Sequence, residues 1–362
     1  PTLFAMKHNF SAGPCILPQE VLTGAADAVR DFAGMGLSLL EISHRDKNFV
    51  SVMDEAMALS LELMGLGDDY AALFLQGGAS LQFAMVPFNL MKAEGGHAAY
   101  LETGTWATNA RKEAQGFGKV TVVGNSLDRN FSYIPKGYAL PDDAQYFHTT
   151  SNNTIFGTQM QEIPHFANGW NVCDMSSDIF SRPRPFDQFD LIYAGAQKNM
   201  GPAGATLVVV KKDILGKSGR WIPTMLDYAT HIKGESMFNT PPVFSVYTSL
   251  LTLRWIKANG GIAQAHVRNT AKANLLYNEI DRNPLFQGTA AAEDRSHMNA
   301  CFLLNDEAAH QARFDALWKE AGVVGINGHR SVGGYRASMY NALPLESVHV
   351  LVDCMRELER TA

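Results

Sequence analysis

The sequence predicts an α/β protein, in which a large domain with a mainly parallel sheet is followed by a smaller α+β domain. From Leu40 to Val210, short apolar runs alternate with amphipathic stretches. This alternation is typical of a parallel sheet with crossover helices. After about Ser245 the pattern changes to longer helical stretches. The chain has 362 residues, more than one ordinary core accommodates, so two domains are expected.

Seven short apolar runs are the predicted strands of the large sheet. Several are apolar on both alternating faces, as strands covered by helices on both sides are. The predicted strands are Tyr70–Leu75, Ala98–Leu101, Val120–Val123, Tyr146–His148, Asn171–Asp174, Leu191–Ala194 and Thr206–Val210.

Helices are predicted where apolar residues recur at helical spacing. One such helix contains Phe49 and Met64 and ends at Gly65, and another runs from about Leu81 to Met91. The C-terminal part has a predicted strand, Asn299–Leu304. Its predicted helices are Val246–Lys257, Ile262–Ile280, Glu307–Ala321 and Leu345–Leu358.

Composition and charge argue against several classes of protein. The formal net charge is −6 and no Lys/Arg-rich block occurs, so we expect no nucleic-acid partner. No apolar run approaches the roughly 20 residues of a membrane span. Residues 1–9 contain no apolar signal core. The four cysteines are scattered without a CxxC pair, so we expect a cytoplasmic protein without a metal site.

Two polar residues at predicted strand ends carry the strongest chemical signal. Lys198 follows the strand Leu191–Ala194 in a Gly-rich loop, where a partly desolvated amine has a lowered pKa and can act as a nucleophile. Taken alone, however, most lysines are solvated surface residues. Asp174 ends another apolar strand 24 residues earlier. It is either a functional acid or a simple cap of the turn that follows.

Other candidates are weaker when taken singly. The turn Gln76–Ser80 contains two glycines before a helix and suits a phosphate, although a plain tight turn explains it equally well. Trp106 follows another strand and either stacks on a planar ring or lies in the core. Arginines and histidines at 44–45, 329–330 and 336 suit carboxylate or phosphate, but single cationic residues are usually surface charges. The order of these features along successive strand ends is more specific than any one of them.

Several longer strings resemble the phosphoserine aminotransferases, a family of enzymes with the fold type I of pyridoxal-phosphate (PLP) transferases. The resemblance extends over essentially the whole chain. The strings are Asn9-Phe10-Ser11-Ala12-Gly13-Pro14, Ser43-His44-Arg45, Tyr193-Ala194-Gly195-Ala196-Gln197-Lys198-Asn199, Ser236-Met237-Phe238-Asn239-Thr240-Pro241-Pro242, and Gly328-His329-Arg330 with Gly333-Gly334 and Arg336-Ala337-Ser338.

The resemblance implies a role for each matching residue. Lys198 is expected to carry one PLP per subunit as a Schiff base and to move the substrate proton, while Asp174 holds the ring nitrogen. Cofactor contacts are further implied for Ala79, Ser80, Trp106, Thr154, Gln197, Asn239 and Thr240, the last two reaching the other subunit of a homodimer with shared sites. The substrate anions are assigned to Ser11, His44, Arg45, His329, Arg330 and Arg336, with Arg336 on the α-carboxylate.

The family also implies the reaction and the domain limits. The reaction is reversible transamination of 3-phosphohydroxypyruvate with glutamate, with a possible phosphohydroxythreonine substrate in vitamin B6 synthesis. The large domain is expected at 15–258, and the small one at 1–14 with 259–362. Some members have Arg in the glycine turn where this chain has Ser80, so any role of that Arg beyond phosphate binding is absent.

Two alternatives to this function remain at the level of sequence. A cysteine desulfurase shares the fold but needs a nucleophilic Cys on a mobile loop, and none of the four cysteines lies in a Gly/Ser-rich loop. A binding or regulatory protein that has lost catalysis also shares the fold. The presence of both Lys198 and Asp174 argues against this second alternative.

Overall fold

A computed structural model describes residues 7–362 of the chain. Residues 1–6 of the predicted small-domain segment 1–14 lie outside the described residues. The helices are α1 (Gln19–Arg30), α2 (Lys47–Met64), α3 (Gly78–Leu90), α4 (Thr105–Ala114), α5 (Ala196–Asn199), α6 (Tyr228–Lys233), α7 (Val243–Ala258), α8 (Gly261–Arg282), α9 (Glu307–Glu320) and α10 (Leu345–Thr361).

The strands follow the predicted runs closely in the large sheet. They are β1 (His8–Asn9), β2 (Tyr70–Leu75), β3 (His97–Glu102), β4 (Lys119–Asn125), β5 (Tyr146–Thr150), β6 (Asn152–Asn153), β7 (Thr158–Gln159), β8 (Trp170–Asp174), β9 (Leu191–Gly195), β10 (Thr206–Lys211), β11 (Phe286–Gly288), β12 (Asn299–Leu304), β13 (Val323–Val324) and β14 (Tyr335–Ser338).

The large sheet confirms the predicted α/β class. It has seven strands in the order β2-β10-β9-β8-β5-β3-β4. β10 is antiparallel to both of its neighbours, and the other strands share one direction. Apolar side chains cover both faces, because Phe74 packs with α2 and α7 while Leu73 packs with α3. Such two-sided burial explains why these strands are apolar at successive positions.

The C-terminal elements form a second core around the antiparallel sheet β11-β12-β14. α8, α9 and α10 pack on this sheet, and Phe10 of the N-terminal segment joins the same core. The parallel pairing of β1 with β13 brings the N-terminal segment to these elements. The division at residue 258 stays a prediction, although α7 ends at Ala258 and α8 begins at Gly261. Within residues 7–362, no helix combines the length and apolar content needed to cross a membrane.

Buried amides join the short β6-β7 sheet and the turn after β8 to the C-terminal sheet. Asn152 Nδ2 donates to Ser177 Oγ and to Asn299 Oδ1, both at 2.8 Å. Asn299 Nδ2 in turn donates to Ser338 Oγ at 2.9 Å. All four residues are buried, and a buried polar group without a partner costs about 1–3 kcal/mol. The network therefore favours one relative placement of the two sheets.

A buried ion pair lies beside this network. Arg184 donates to Asp178 Oδ2 at 2.9 Å, and their side chains are 5% and 0% exposed. Asp178 also accepts bonds from Ser151 and from Gln159 Nε2. Its carboxylate is therefore stabilised by one cation and two neutral donors. Removing Arg184 would leave the carboxylate of Asp178 as a buried charge without a counterion, which strongly destabilises the folded state.

We expect Arg184→Met to lower the free energy of unfolding by about 3–5 kcal/mol, because Asp178 loses its cation in a buried place. Urea unfolding followed by circular dichroism measures this change. The double variant Arg184→Met/Asp178→Asn should recover part of the loss. As a control, Arg360→Met on the exposed end of α10 should leave the midpoint nearly unchanged. A loss below about 1 kcal/mol for Arg184→Met would contradict the argument.

Candidate active site

Lys198 lies at the carboxyl end of β9, within the short helix α5. Its Nζ donates to Thr154 Oγ1 at 2.8 Å and lies 5.7 Å from the centroid of the Trp106 ring. Burial, opposed by the Asp174 charge and aided by the Arg336 charge, lowers the pKa of Lys198 to about 8. Near neutral pH this amine therefore has a larger uncharged, nucleophilic fraction than a solvated lysine.

Asp174 lies at the carboxyl end of β8, the strand next to β9. Its Oδ1 accepts the backbone N–H of Ser176 at 2.9 Å, so it does cap the following turn. Its Oδ2 has no hydrogen-bond donor among residues 7–362. Burial raises the pKa of Asp174, whereas the Lys198 charge and the Ser176 bond oppose that rise. A cationic donor at Oδ2 would keep this carboxylate ionised.

Thr154 connects Lys198 to Arg336. Its hydroxyl accepts the bond from Lys198, and its carbonyl accepts Arg336 Nη1 at 3.2 Å. Arg336 Nε is buried without a partner, which leaves a donor for an anion. We call Lys198, Asp174, Thr154, Trp106 and Arg336 together the lysine pocket.

The N-terminal segment covers the lysine pocket. A Cβ atom at Gly13 would lie 3.3 Å from Lys198 Cγ, so this glycine permits the close approach. The backbone N–H of Cys15 donates to Gln197 O at 3.0 Å, and Tyr340 Oη donates to Ala12 O at 2.6 Å. Sequence reasoning missed Gly13 and Tyr340 as parts of the site, although Gly13 lies in a string that matches the family. Ser11 instead contacts Gly325, where an added Cβ would lie 2.4 Å from Ser11 Oγ.

Two helices begin at the carboxyl ends of β2 and β3. α3 starts at Gly78 rather than at the predicted Leu81, so Ala79 and Ser80 lie in its first turn. Gly77 and Gly78 have φ angles of 92° and 65°, a backbone conformation that glycine adopts without strain. The first N–H groups of such a helix suit an anion. Trp106 lies in the first turn of α4, where its Nε1 is buried without a partner.

Of the remaining residues that were predicted to bind the substrate anions, only some lie near the lysine pocket. The Arg336 and Arg330 charges add to burial in lowering the pKa of His329, so these three cationic groups lie near one another. His44 and Arg45 make no hydrogen bond or ion pair with the lysine pocket in the part of the chain that the structure describes.

The loop that carries Asn239 and Thr240 lies at the end of β2. Gln76 Nε2 donates to Thr240 O at 3.0 Å, and the backbone N–H of Phe74 donates to Ser236 Oγ at 3.1 Å. Both Asn239 and Thr240 are exposed. Neither bonds to the lysine pocket of its own chain among the described residues.

The cysteines do not provide a nucleophile for desulfurase chemistry. Cys173, Cys301 and Cys354 are buried. Burial raises the pKa of Cys15 and of Cys173 to about 12, whereas a reactive cysteine needs a lowered pKa. Across residues 7–362, no cluster of three His, Cys, Asp or Glu side chains could hold a metal ion.

Comparison with known proteins identifies the family. The class-V aminotransferase model matches residues 7–351. A phosphoserine aminotransferase of Flavobacterium psychrophilum is 67% identical over 98% of this chain and 99% of its own length. The chain belongs to the phosphoserine aminotransferase family. A second member, from Flavobacterium johnsoniae, is 68% identical over the same shares of both chains.

Solved structures of the family agree with this fold. The phosphoserine aminotransferase of Bacillus circulans subsp. alkalophilus has a TM-score of 0.95 and 43% identity over 98% of this chain and 99% of its own. The PLP-bound phosphoserine aminotransferase of Trichomonas vaginalis has a TM-score of 0.91 and 35% identity over 97% and 100% of the two chains. The fold type I that the sequence predicted is confirmed.

The lysine pocket fits PLP on its own chemistry. The amine of Lys198 has a lowered pKa, as an amine that condenses with an aldehyde requires. The free Oδ2 of Asp174 suits a cationic ring nitrogen, and Trp106 provides an aromatic surface. The open N–H groups at the start of α3 suit a phosphate. These features fit an aldehyde-bearing, phosphorylated pyridine.

We expect Asp174→Asn to lower kcat/KM for transamination by two or more decades. The lost buried charge partner is worth about 3–5 kcal/mol, and a decade of rate corresponds to about 1.4 kcal/mol. Steady-state kinetics with saturating PLP measures the effect. Asp190→Asn, at the opposite end of β9, is the control and should retain activity. A loss below threefold for Asp174→Asn would mean that another group holds the ring nitrogen.

Proposed function

We propose that this chain catalyses the reversible transamination of 3-phosphohydroxypyruvate with L-glutamate, giving O-phospho-L-serine and 2-oxoglutarate. The observation that carries the proposal is the lysine pocket, which combines a low-pKa amine with a buried acid and a cationic group. The chain is also 67% identical to a phosphoserine aminotransferase over nearly its whole length. The vitamin B6 substrate of the family stays a prediction for this chain.

The chain uses PLP as its cofactor, and the proposed contacts follow from the site. When bound, PLP supplies an electron-accepting ring that stabilises negative charge at the substrate carbon. Lys198 carries it, the Oδ2 of Asp174 holds its ring nitrogen, and Trp106 covers its ring. Ala79, Ser80 and Gln197 are proposed for the phosphate, with α3 presenting N–H groups.

Lys198 is also the proposed base of the reaction. With a pKa of about 8, its Nζ is well matched to take the Cα proton of an amino acid near neutral pH. Thr154 Oγ1 accepts a bond from this amine at 2.8 Å and so restricts where the amine points. Gly13 allows the N-terminal segment to pack against the Cγ atom of Lys198, which partly shields this half-buried side chain from water.

Substrate anions are proposed to bind at the cationic groups. Arg336 is the candidate for the α-carboxylate because its Nε is buried without a partner. Burial, together with the nearby Arg336 and Arg330 charges, lowers the pKa of His329, and an anion placed among these three residues offsets that effect. A γ-carboxylate and a phosphate are both clusters of anionic oxygens, so one set of donors can accept either.

We expect kcat/KM for O-phosphoserine and for glutamate to exceed that for alanine or serine by at least about a hundredfold. An uncharged side chain leaves two cationic donors unpaired, each at about 1–3 kcal/mol and more when the donor is charged. A cost of about 1.4 kcal/mol or more for each donor gives a decade or more each, and so about a hundredfold or more in total. Production of pyruvate, hydroxypyruvate, 2-oxoglutarate or phosphohydroxypyruvate from each donor gives the ratio. Equal efficiency for serine and O-phosphoserine would instead indicate a general small-amino-acid aminotransferase.

Arg45→Ala provides a second arm of this test, because the family resemblance assigns Arg45 to the substrate anion although it makes no bond with the lysine pocket of its own chain among the described residues. This variant should lower kcat/KM for O-phosphoserine and glutamate more than kcat/KM for alanine or serine. The ratio between the two groups of donors therefore decreases. Arg30→Ala on the exposed face of α1 is the matched control and should leave the ratio unchanged.

A homodimer with shared sites is the proposed assembly. Asn239 and Thr240 are exposed, and among the described residues neither forms a hydrogen bond with the lysine pocket of its own chain. Large apolar side chains are exposed in the same part of the chain, with Phe238 at 49% and Met225 at 42%. Both Met225 and Asn239 line one depression beside β2. A second copy packed on this surface would bury these apolar side chains. Asn239 and Thr240 would then reach the lysine pocket of that second copy.

We expect activity to return when two inactive variants are mixed. One variant is Lys198→Ala, and the other combines Asn239→Ala with Thr240→Ala. Because each hybrid dimer regains one intact site, random exchange should restore about a quarter of wild-type activity. Native mass spectrometry would verify that hybrids form. Hybrids without activity would contradict shared sites.

The proposed location is the cytoplasm. All four cysteines are free thiols within the described structure, and three of them are buried where no second cysteine pairs with them. Unpaired cysteines are typical of proteins in a reducing compartment. Fractionation of the native cells with an antibody against this chain tests the location.

A further inference from the structure

Lys272 is a buried lysine that the proposed reaction does not use. It lies within α8 and is 1% exposed. Its Nζ donates to the carbonyls of Met339, Tyr340 and Leu343 at 3.0, 2.6 and 3.1 Å. No carboxylate bonds this amine among the residues that the structure describes. Burial, aided by the Arg268 charge, lowers the pKa of Lys272 to about 7.

The three carbonyls account for the presence of a cation at this depth. An ammonium has three N–H donors, and each one here has an acceptor. A buried cation without such partners would be strongly unfavourable. In the absence of the lysine, three buried carbonyls would lose a donor. Lys272 and the backbone of residues 339–343, which we call the 339–343 turn, therefore stabilise each other.

The 339–343 turn contacts the lysine pocket at two points. The backbone N–H of Asn341 donates to Asn199 Oδ1 at 2.8 Å, and Asn199 directly follows Lys198. Tyr340 Oη donates to Ala12 O at 2.6 Å, and the adjacent Gly13 packs against Lys198. The turn thus bonds to Asn199 and to Ala12, which are the chain neighbours of Lys198 and of Gly13.

A second residue of α8 holds the same turn. Asn269, three residues before Lys272, donates to Asn341 Oδ1 at 2.7 Å. Asn341 Nδ2 donates in turn to Phe180 O at 3.0 Å. All three of these side chains are buried. One face of α8 therefore fixes the turn against the large sheet.

We propose that Lys272 is a positioning residue for the transamination, because its ammonium fixes the 339–343 turn and the turn fixes Asn199 and Gly13 around Lys198. The inference rests on the proposed function for the reaction that is affected. Reacting groups must be held closely, and a misplacement of about 1 Å can lower the rate about a hundredfold. Lys272 itself touches neither substrate nor cofactor.

The decisive variant is Lys272→Met, which keeps an unbranched apolar chain but removes the three donors. In folded holoenzyme, kcat should fall about ten- to a hundredfold, while KM for glutamate changes less than about threefold because the substrate cations are retained. The control is Lys319→Met, an exposed lysine on α9 in the same part of the chain. It should match the wild type in both constants.

Backbone hydrogen exchange gives a readout that does not depend on turnover. In the full chain with PLP bound, exchange of the Asn341 amide should be at least about tenfold faster in Lys272→Met than in the wild type, whereas amides of β12 stay protected. A folded Lys272→Met variant with unchanged kcat overturns the proposal, even if its melting temperature is lower. Unchanged exchange at Asn341 overturns it as well.

Tyr340→Phe keeps the test decisive if Lys272→Met fails to fold. It removes the bond that Tyr340 Oη donates to Ala12 O and the longer bond that Asn299 Nδ2 donates to Tyr340 Oη at 3.3 Å. It should lower kcat about three- to tenfold, in line with a lost bond to Ala12 of roughly 1 kcal/mol. An unchanged kcat in this variant also contradicts the proposal. If both variants fold, their effects on kcat should be non-additive, because they act through one turn.

Wild-type protein that does not transaminate glutamate would instead contradict the proposed function, while hydrogen exchange of the Asn341 amide still reports on the turn.

Discussion

The amine of Lys198 has to be partly desolvated and yet remain within reach of a buried acid, and the arrangement of the central strands serves this constraint. β8 and β9 are adjacent and parallel, so their carboxyl ends meet at one edge of the sheet. Asp174 and the loop of Lys198 occupy that edge. Burial disfavours both charges, as the opposite shifts of their pKa values indicate. Each charge is tolerated because the other lies nearby and because Thr154 and Ser176 provide hydrogen bonds.

Directional polar contacts help to fix the C-terminal elements over this edge. The bond from Asn152 to Asn299 and the bond from Asn341 to Asn199 both join the two cores. Buried polar groups pair only in defined directions, whereas apolar surfaces tolerate sliding. This specificity matters because Arg336 and the cover over Lys198 both depend on where the C-terminal sheet lies.

Much of the fold was predictable because its signal is local. The strand Asn299–Leu304 matches its predicted bounds, and the seven strands of the large sheet differ from prediction by at most two residues at either end. Their apolar runs reflect burial on both faces. The two-residue strands β1 and β13 were not predicted, since they exist only through pairing between residues more than 300 positions apart. α1 and α4 were also missed, although the buried residues Val21, Ala25 and Ala28 of α1 recur at helical spacing and could have indicated it.

The sequence by itself determined which chemical groups stand at the strand ends, namely Lys198, Asp174, Trp106 and the glycines of the turn before α3. Residue type and distance from a strand are local properties, so they can be read without coordinates. Only the tertiary structure decided that Arg336 bonds the carbonyl of Thr154, that Gly13 covers Lys198, and that Lys272 is buried against the 339–343 turn. These contacts join distant segments, and the packing of two cores sets them, so no local spacing in the chain encodes them.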